Sequence, residues 1–191
     1  MADHLKIIGA HGKRRTNDFY PTPPDVTVAL CEFLEDHFLL WRGSLIWEPA
    51  CGDGAMVRVL GDRGYDVIGT DIAQGQDYLT ADVPSGDVDW IITNPPFCLA
   101  QDFIIQSVEH GKPFALLLKS QYWHSAKRQV LFAAFPPAFV LPLTWRPDFT
   151  GQGASLLDMM WCVWLGGTPV PRYIPLKRPN MEAEVKDYAE K

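Results

Sequence analysis

The chain has no CxxC pair and no histidine at ligand spacing from a cysteine; Cys31, Cys51, Cys98 and Cys162 are scattered. That excludes a zinc ribbon or a disulfide framework and marks the four as free thiols, with no metal site expected. No stretch approaches the ~20 apolar residues of a membrane span. The opening Met1-Ala2-Asp3-His4-Leu5-Lys6 lacks the basic-then-apolar layout of a signal peptide, so a cytoplasmic protein is expected. Basic charge is also short: 17 Lys and Arg stand against 23 Asp and Glu, a net charge of -6. This excludes a surface coated for nucleic acid and leaves a polyanion to be met by a local patch. There is no internal repeat and no low-complexity block. With 191 residues, 47% of them hydrophobic, one domain can build a core without disulfide support, and a second full domain is not expected.

What is present follows an alternating rhythm. Residues 1–18 read as a polar arm with a basic cluster, Lys13-Arg14-Arg15, followed by a main domain over 19–168 and a polar, charged tail over 169–191. Phe19-Tyr20-Pro21-Thr22-Pro23-Pro24-Asp25 leads into a helix for which Thr22 is a candidate cap. Strands are expected at Ser44–Glu48, Asp66–Asp71, shortly after Leu79, Val88–Thr93, Pro113–Leu118, Ala138–Leu141 and Leu156–Leu165. Helices are expected after Gly54, over Leu99–Glu109 and over Gln121–Phe132. Apolar strands alternating with helices imply an α/β fold, Rossmann-like, with a mostly parallel seven-stranded sheet covered on both faces.

The first strand runs into Glu48-Pro49-Ala50-Cys51-Gly52-Asp53-Gly54, a tight turn ahead of a helix, and the second ends in Asp71 roughly 20 positions later, where nucleotide-binding βαβ units place a carboxylate for ribose hydroxyls. The turn lacks the full GxGxxG pattern and a Walker lysine, and its carboxylate would repel phosphate. A cationic ligand without phosphate suits it, and S-adenosylmethionine fits that description. Further on, Asn94-Pro95-Pro96-Phe97 follows a buried strand. Two prolines remove two backbone donors and fix φ twice, so an amide, a free carbonyl and an aromatic ring sit in one stiff turn suited to a flat, amino-bearing heterocycle.

Taken together, the aromatic proline segment 19–25, the turn 48–54, Asp71 and Asn94–Phe97 resemble the amino-group DNA methyltransferases with an Asn-Pro-Pro-aromatic motif, especially the compact adenine-N6 enzymes of phages and prophages. The resemblance covers about residues 18–165. It implies a class I methyltransferase fold, S-adenosylmethionine as cofactor and adenine in DNA as substrate, in a bacterial or phage-infected cytoplasm. Glu48, with Pro49 and Ala50, would hold the methionine ammonium, and Gly52 and Gly54 would give the cofactor room. Asp71, beside Ile72, would take the ribose hydroxyls. Asp77 would accept from the cofactor adenine's amino group, with Asp82 as a rival, and Tyr78 or Leu79 would offer a backbone donor. Thr22 and Pro23 would close over the methionine end.

The same resemblance assigns the chemistry to Asn94, Pro95, Pro96 and Phe97. The Asn94 side-chain oxygen and the Pro95 carbonyl would accept from the target amine and localise its lone pair, while Phe97 stacks on the base. The base must be flipped out of a duplex or already single-stranded. Trp145, Arg146 and Phe149, in a late loop, would line the flipped base and meet phosphate, and Lys119 would fall on the same rim. Larger relatives carry a separate target-recognition domain for which this chain leaves no room, so specificity is expected to be low, loop-encoded or supplied by a protein partner. The competing readings are methylation of a protein glutamine or an RNA base, and a catalytically silent binding module.

Overall fold

The computed structural model describes residues 21–151, 153 and 157–182, so the basic arm at 1–18 and the end of the tail lie outside the described residues. Seven strands, β1 (Leu45–Glu48), β2 (Asp66–Gly69), β3 (Trp90–Thr93), β4 (Phe114–Lys119), β5 (Phe139–Pro142), β6 (Met159–Trp164) and β7 (Arg172–Tyr173), form one sheet in the order β2-β1-β3-β4-β6-β5-β7. All neighbours pair in parallel except β6, which runs antiparallel to both β4 and β5. The helices are α1 (Pro24–Asp36), α2 (Ala55–Asp62), α3 (Ala100–His110) and α4 (Ala126–Ala134).

Strict alternation along the strands divides the core. In β6, Met159, Trp161 and Val163 face the cluster that includes Val26, Leu30 and Leu34 of α1, whereas Met160, Cys162 and Trp164 face the one that includes Phe103 and Ile104 of α3. Buried indoles bolt the layers together: Trp161 Nε1 donates to the Val26 carbonyl at 3.0 Å, and Trp47 Nε1 donates to Thr70 Oγ1 at 2.9 Å. Helix α1 has Pro23 at its N-cap and no side-chain cap hydrogen bond, so Thr22 does not cap it. A cap would add about 1 kcal/mol. Fully burying Val26, Leu30 and Leu34 contributes roughly 1.5–3 kcal/mol each, so packing holds the helix.

Three expectations change. The strand expected after Leu79 does not form; that stretch is turns and irregular backbone. The count of seven is restored by β7, from the stretch read as a polar tail, and Leu176 of the same stretch is buried in the core. The single helix expected over Gln121–Phe132 is instead a 3-10 turn, Ser120–Trp123, followed by α4. Among the described residues, no helix is long and apolar enough to cross a membrane.

Candidate active site

Because β1 pairs with β2 on one side and β3 on the other, the chain reverses its winding direction between β1 and β3, and the crevice outside their carboxyl ends is where open α/β sheets take ligands. Glu48 is the last residue of β1, Asp71 lies two residues beyond β2, and Asn94 immediately follows β3. All three line one cavity of about 410 Å³, together with Thr22, Pro49, Ala50, Gly52, Ile72, Asp77, Tyr78 and the whole of Pro95–Phe97.

The β1–β2 half is preorganised by its own backbone. Gly52 and Gly54 adopt positive φ, 52° and 79°, which lets the turn fold tightly and start α2 at Ala55. A Cβ on Gly69 would sit 2.8 Å from Val57 Cγ2, so α2 presses directly on β2 beside the turn. Asp71 is pinned through both oxygens, accepting from the Gly52 N–H at 3.1 Å and the Ala73 N–H at 2.8 Å. Asp77 Oδ1 accepts from the Leu79 N–H at 3.1 Å, which leaves Tyr78, not Leu79, as the backbone donor from this segment. Tyr78 itself is buried, its hydroxyl 2.6 Å from Ser107 Oγ and its ring edge-on to Trp47.

Glu48 is the electrostatic centre. It is 3% exposed, and its Oε2 has no hydrogen-bond partner. Burial pushes its carboxyl up to about 8; the Val57 backbone N–H pulls it back, and the nearby charges of Asp53 and Asp71 raise it further. An unpaired buried polar atom costs about 1–3 kcal/mol, so this acid is built for a partner the protein does not supply. The lining carries four carboxylates, Glu48, Asp53, Asp71 and Asp77, and no lysine or arginine among the described residues. Such a wall attracts a cation and repels phosphate.

After the neighbouring strand β3, Asn94 Nδ2 donates to Thr22 Oγ1 at 3.1 Å, while Asn94 Oδ1 is buried with no partner. The Pro96 carbonyl is taken by the Leu99 N–H at 2.8 Å, an interaction that closes the turn into α3. Lys119 Nζ lies 4.0 Å from the centre of the Phe97 ring, over one of its faces. A cation there is attracted by the ring quadrupole, although Lys119 itself is not among the residues that line the cavity.

The late loop stands beside this cavity, on a second one that shares Pro21, Thr22, Asp53 and Ala55 with it. Trp145, Arg146 and Phe149 do not line this cavity. Trp145 and Phe149 pack against the α1-side core, and the exposed Arg146 pairs with Asp158 at 2.8 Å. Phe149, with Pro23, lines a second and larger cavity of about 930 Å³ on the α1–α2 side. That second space has no lining residue with a buried, unpaired polar atom, so the smaller one is the candidate site. Gly54 also stands outside the lining and acts through the start of α2, and Asp82 is absent from it. Sequence reasoning gave no role to Cys51, Asp53, Met56, Gln76, Cys98 or Phe103, which do line the cavity. Of these, Cys51 and Asp53 lie inside the glycine turn, a signal that could have marked them. The Cys51 thiol is pushed up, by burial first and then by Glu48 and Asp71, so it is no activated nucleophile. Among the described residues no group of three or more His, Cys, Asp or Glu side chains could hold a metal ion.

No family model and no curated protein sequence matches the chain. Solved structures do. A candidate class I S-adenosylmethionine-dependent methyltransferase from Listeria monocytogenes matches over 94% of this chain and 72% of its own, at 15% identity and a TM-score of 0.60. The fold is that of class I methyltransferases. A candidate RNA methyltransferase from Pyrococcus horikoshii covers 79% of this chain and 88% of its own (13% identity, TM-score 0.55). A candidate hemolysin from Lactococcus lactis covers 88% and 99% (11% identity, TM-score 0.57). Chains similar in fold to this one thus carry three different descriptions, and the substrate has to be argued from the site.

Proposed function

We propose that the protein is a methyltransferase that uses S-adenosylmethionine to methylate the exocyclic N6 of adenine in DNA. The observation that carries this reading is the buried, unpartnered Asn94 Oδ1 in a cavity that Phe97 also lines, together with the buried Glu48, whose Oε2 has no hydrogen-bond partner. The residues present fit the cofactor: Glu48 would take its ammonium directly or through water, Asp71 its ribose hydroxyls, Asp77 its adenine amino group, and the Tyr78 backbone N–H its ring. When bound, it supplies a methyl group activated on a sulfonium.

The protein's own part in the chemistry is to prepare the amine. An aromatic amino group is a poor nucleophile because its lone pair is delocalised into the ring. Asn94 Oδ1 and the Pro95 carbonyl accept its two hydrogens from outside the ring plane, which draws the nitrogen toward tetrahedral geometry. Phe97 stacks on the base and holds it. No strong base is needed, since the proton leaves readily once nitrogen is alkylated, so proximity and electrostatics carry the step. The target is flipped from a duplex or taken from a single strand. With a net charge of -6, DNA affinity is modest and strongly salt dependent, and sequence preference is low unless a protein partner supplies it. A phage or prophage enzyme acting on cytoplasmic DNA fits this description.

The test is methyl transfer from labelled cofactor to plasmid DNA, with digestion to nucleosides. The expected product is N6-methyladenine. Label in protein or RNA with none in DNA would overturn the substrate, and no cofactor binding by calorimetry would overturn the enzyme in favour of a silent binding module. Sequencing of modified bases in DNA from a methylation-free host expressing the protein would then give context and density.

A further inference from the structure

Thr22 lies between Pro21 and Pro23, just ahead of α1, and it is buried at 6% exposure. A threonine before a helix ordinarily spends its hydroxyl on the first turn. Here α1 receives no side-chain cap, and Thr22 Oγ1 instead accepts from Asn94 Nδ2 at 3.1 Å, a residue 72 positions away in sequence. Both residues line the same cavity.

We infer that Thr22 is a positioning residue: its hydroxyl occupies the amino end of the Asn94 amide and locks the side chain with Oδ1 as the end offered to the substrate amine. The inference rests on the methyltransferase reading and deepens it. A hydroxyl can accept or donate, so the bond alone tolerates either orientation of the amide. The substrate decides between them. A flipped amide would present N–H groups to an amine that also presents N–H groups, and both would be left unpaired in a buried slot. With Thr22 satisfying the far end, the near end is an acceptor with no other claim on it, since Oδ1 has no protein partner. The two flanking prolines stiffen the segment that carries the hydroxyl, and Pro95 stiffens the one that carries the amide, so the pair meets across two rigid turns. In this arrangement the segment ahead of α1 closes the site and also sets its donor–acceptor polarity.

The experiment compares T22V, which keeps the shape and removes the acceptor, with T22S, which keeps the hydroxyl. Two readings are taken. The chain has three asparagines, Asn17, Asn94 and Asn180, so asparagine-selective ¹⁵N labelling gives three side-chain amide pairs, with Asn94 identified by its loss in N94A. T22V is expected to shift the Asn94 pair and speed its exchange with solvent, and T22S to return it. Turnover at saturating cofactor is expected to fall about 10- to 100-fold in T22V with cofactor affinity held within about threefold, and to recover most of that loss in T22S. Should T22V fail to fold in a thermal melt, T22A carries the same expectation. Unmoved Asn94 resonances, unchanged turnover, or a turnover loss matched by an equal loss of cofactor affinity would overturn the inference. The spectrum needs no substrate, so a wild type inert toward DNA would remove the adenine reading and leave the positioning role to be decided by the amide signals.

Discussion

The candidate site and the late loop beside it are built in opposite ways. In the β1–β2 half of the site the carboxylates after β2 are fixed by backbone, Asp71 by two N–H donors and Asp77 by one, and the glycine turn is held by the pressure of Val57 on Gly69, while Glu48 Oε2 is left unpaired. In the late loop Trp145 and Phe149 pack against the α1-side core, and Arg146 is held by Asp158. On the proposed function, a small cofactor of fixed geometry rewards such a frame, and a larger substrate would be met by few groups, Phe97 among them. The contrast teaches that the cavity is held by local backbone geometry and the loop beside it by distant packing.

The sharpest way to break the contrast is at the chemical centre. N94A is expected to lower turnover more than about 1000-fold while cofactor binding, measured by calorimetry, survives. Substantial turnover in purified N94A would sink the mechanism. Next comes a pair of aromatics, Phe97 in the cavity lining and Trp145 outside it. F97A should cost about 1–3 kcal/mol of stacking, roughly 10- to 100-fold in kcat/KM per folded molecule. W145A should do the reverse, lowering Tm by roughly 4–8 °C while turnover per folded molecule stays close to wild type. If W145A abolished turnover with an unchanged melt, the loop would belong to the substrate rim after all.

The pH dependence sharpens the cofactor side. Glu48 has a folded value of about 8 against an ordinary 4.5, because burial disfavours its charge. The folded state therefore holds a proton that the unfolded state gives up between those values. Stability is fully present below pH 4.5 and is lost as the pH rises through about 8, so wild-type Tm should fall over that window and the E48Q profile should be flatter. Binding a cationic ligand at pH 7 should release a proton from Glu48 in the wild type and none in E48Q, read as a buffer-dependent binding enthalpy. A flat wild-type profile would refute the buried acid. The smallest effect concerns the tail. Arg178, itself 66% exposed, pairs with the buried Asp25 of α1 at 2.7 Å, and R178A should lower Tm by about 2–4 °C, checked by the same melts.

Much of this was readable along the chain. Glu48, Asp71 and Asn94 sit at the ends of apolar runs, and a strand end in a parallel sheet delivers whatever follows it to one edge, so local pattern was enough to name them. The strand expected after Leu79 failed because Ala81–Asp89 carries turn formers and little continuous apolar sequence. Strand β7 was missed because two exposed residues have no period to detect; they are strand only because β5 offers an open edge. For Trp145 and Phe149 the local pattern says little, because aromatics in a late loop look alike whether they face a ligand or a core.

The sequence by itself determined the layered α/β fold, the acid at the end of β1, the acid after β2 and the amide turn after β3, because these depend on hydrophobic period, glycine turns and fixed proline geometry within a few residues. Only the tertiary structure decided that Thr22 hydrogen-bonds Asn94 and does not cap its own helix, that Glu48 is buried with Oε2 unpaired, that the tail completes the sheet, and that Trp145 packs against the α1-side core. Each of those depends on which distant surfaces meet, and a hydroxyl, a carboxylate or an indole has the same local sequence signature whichever neighbour the fold brings to it.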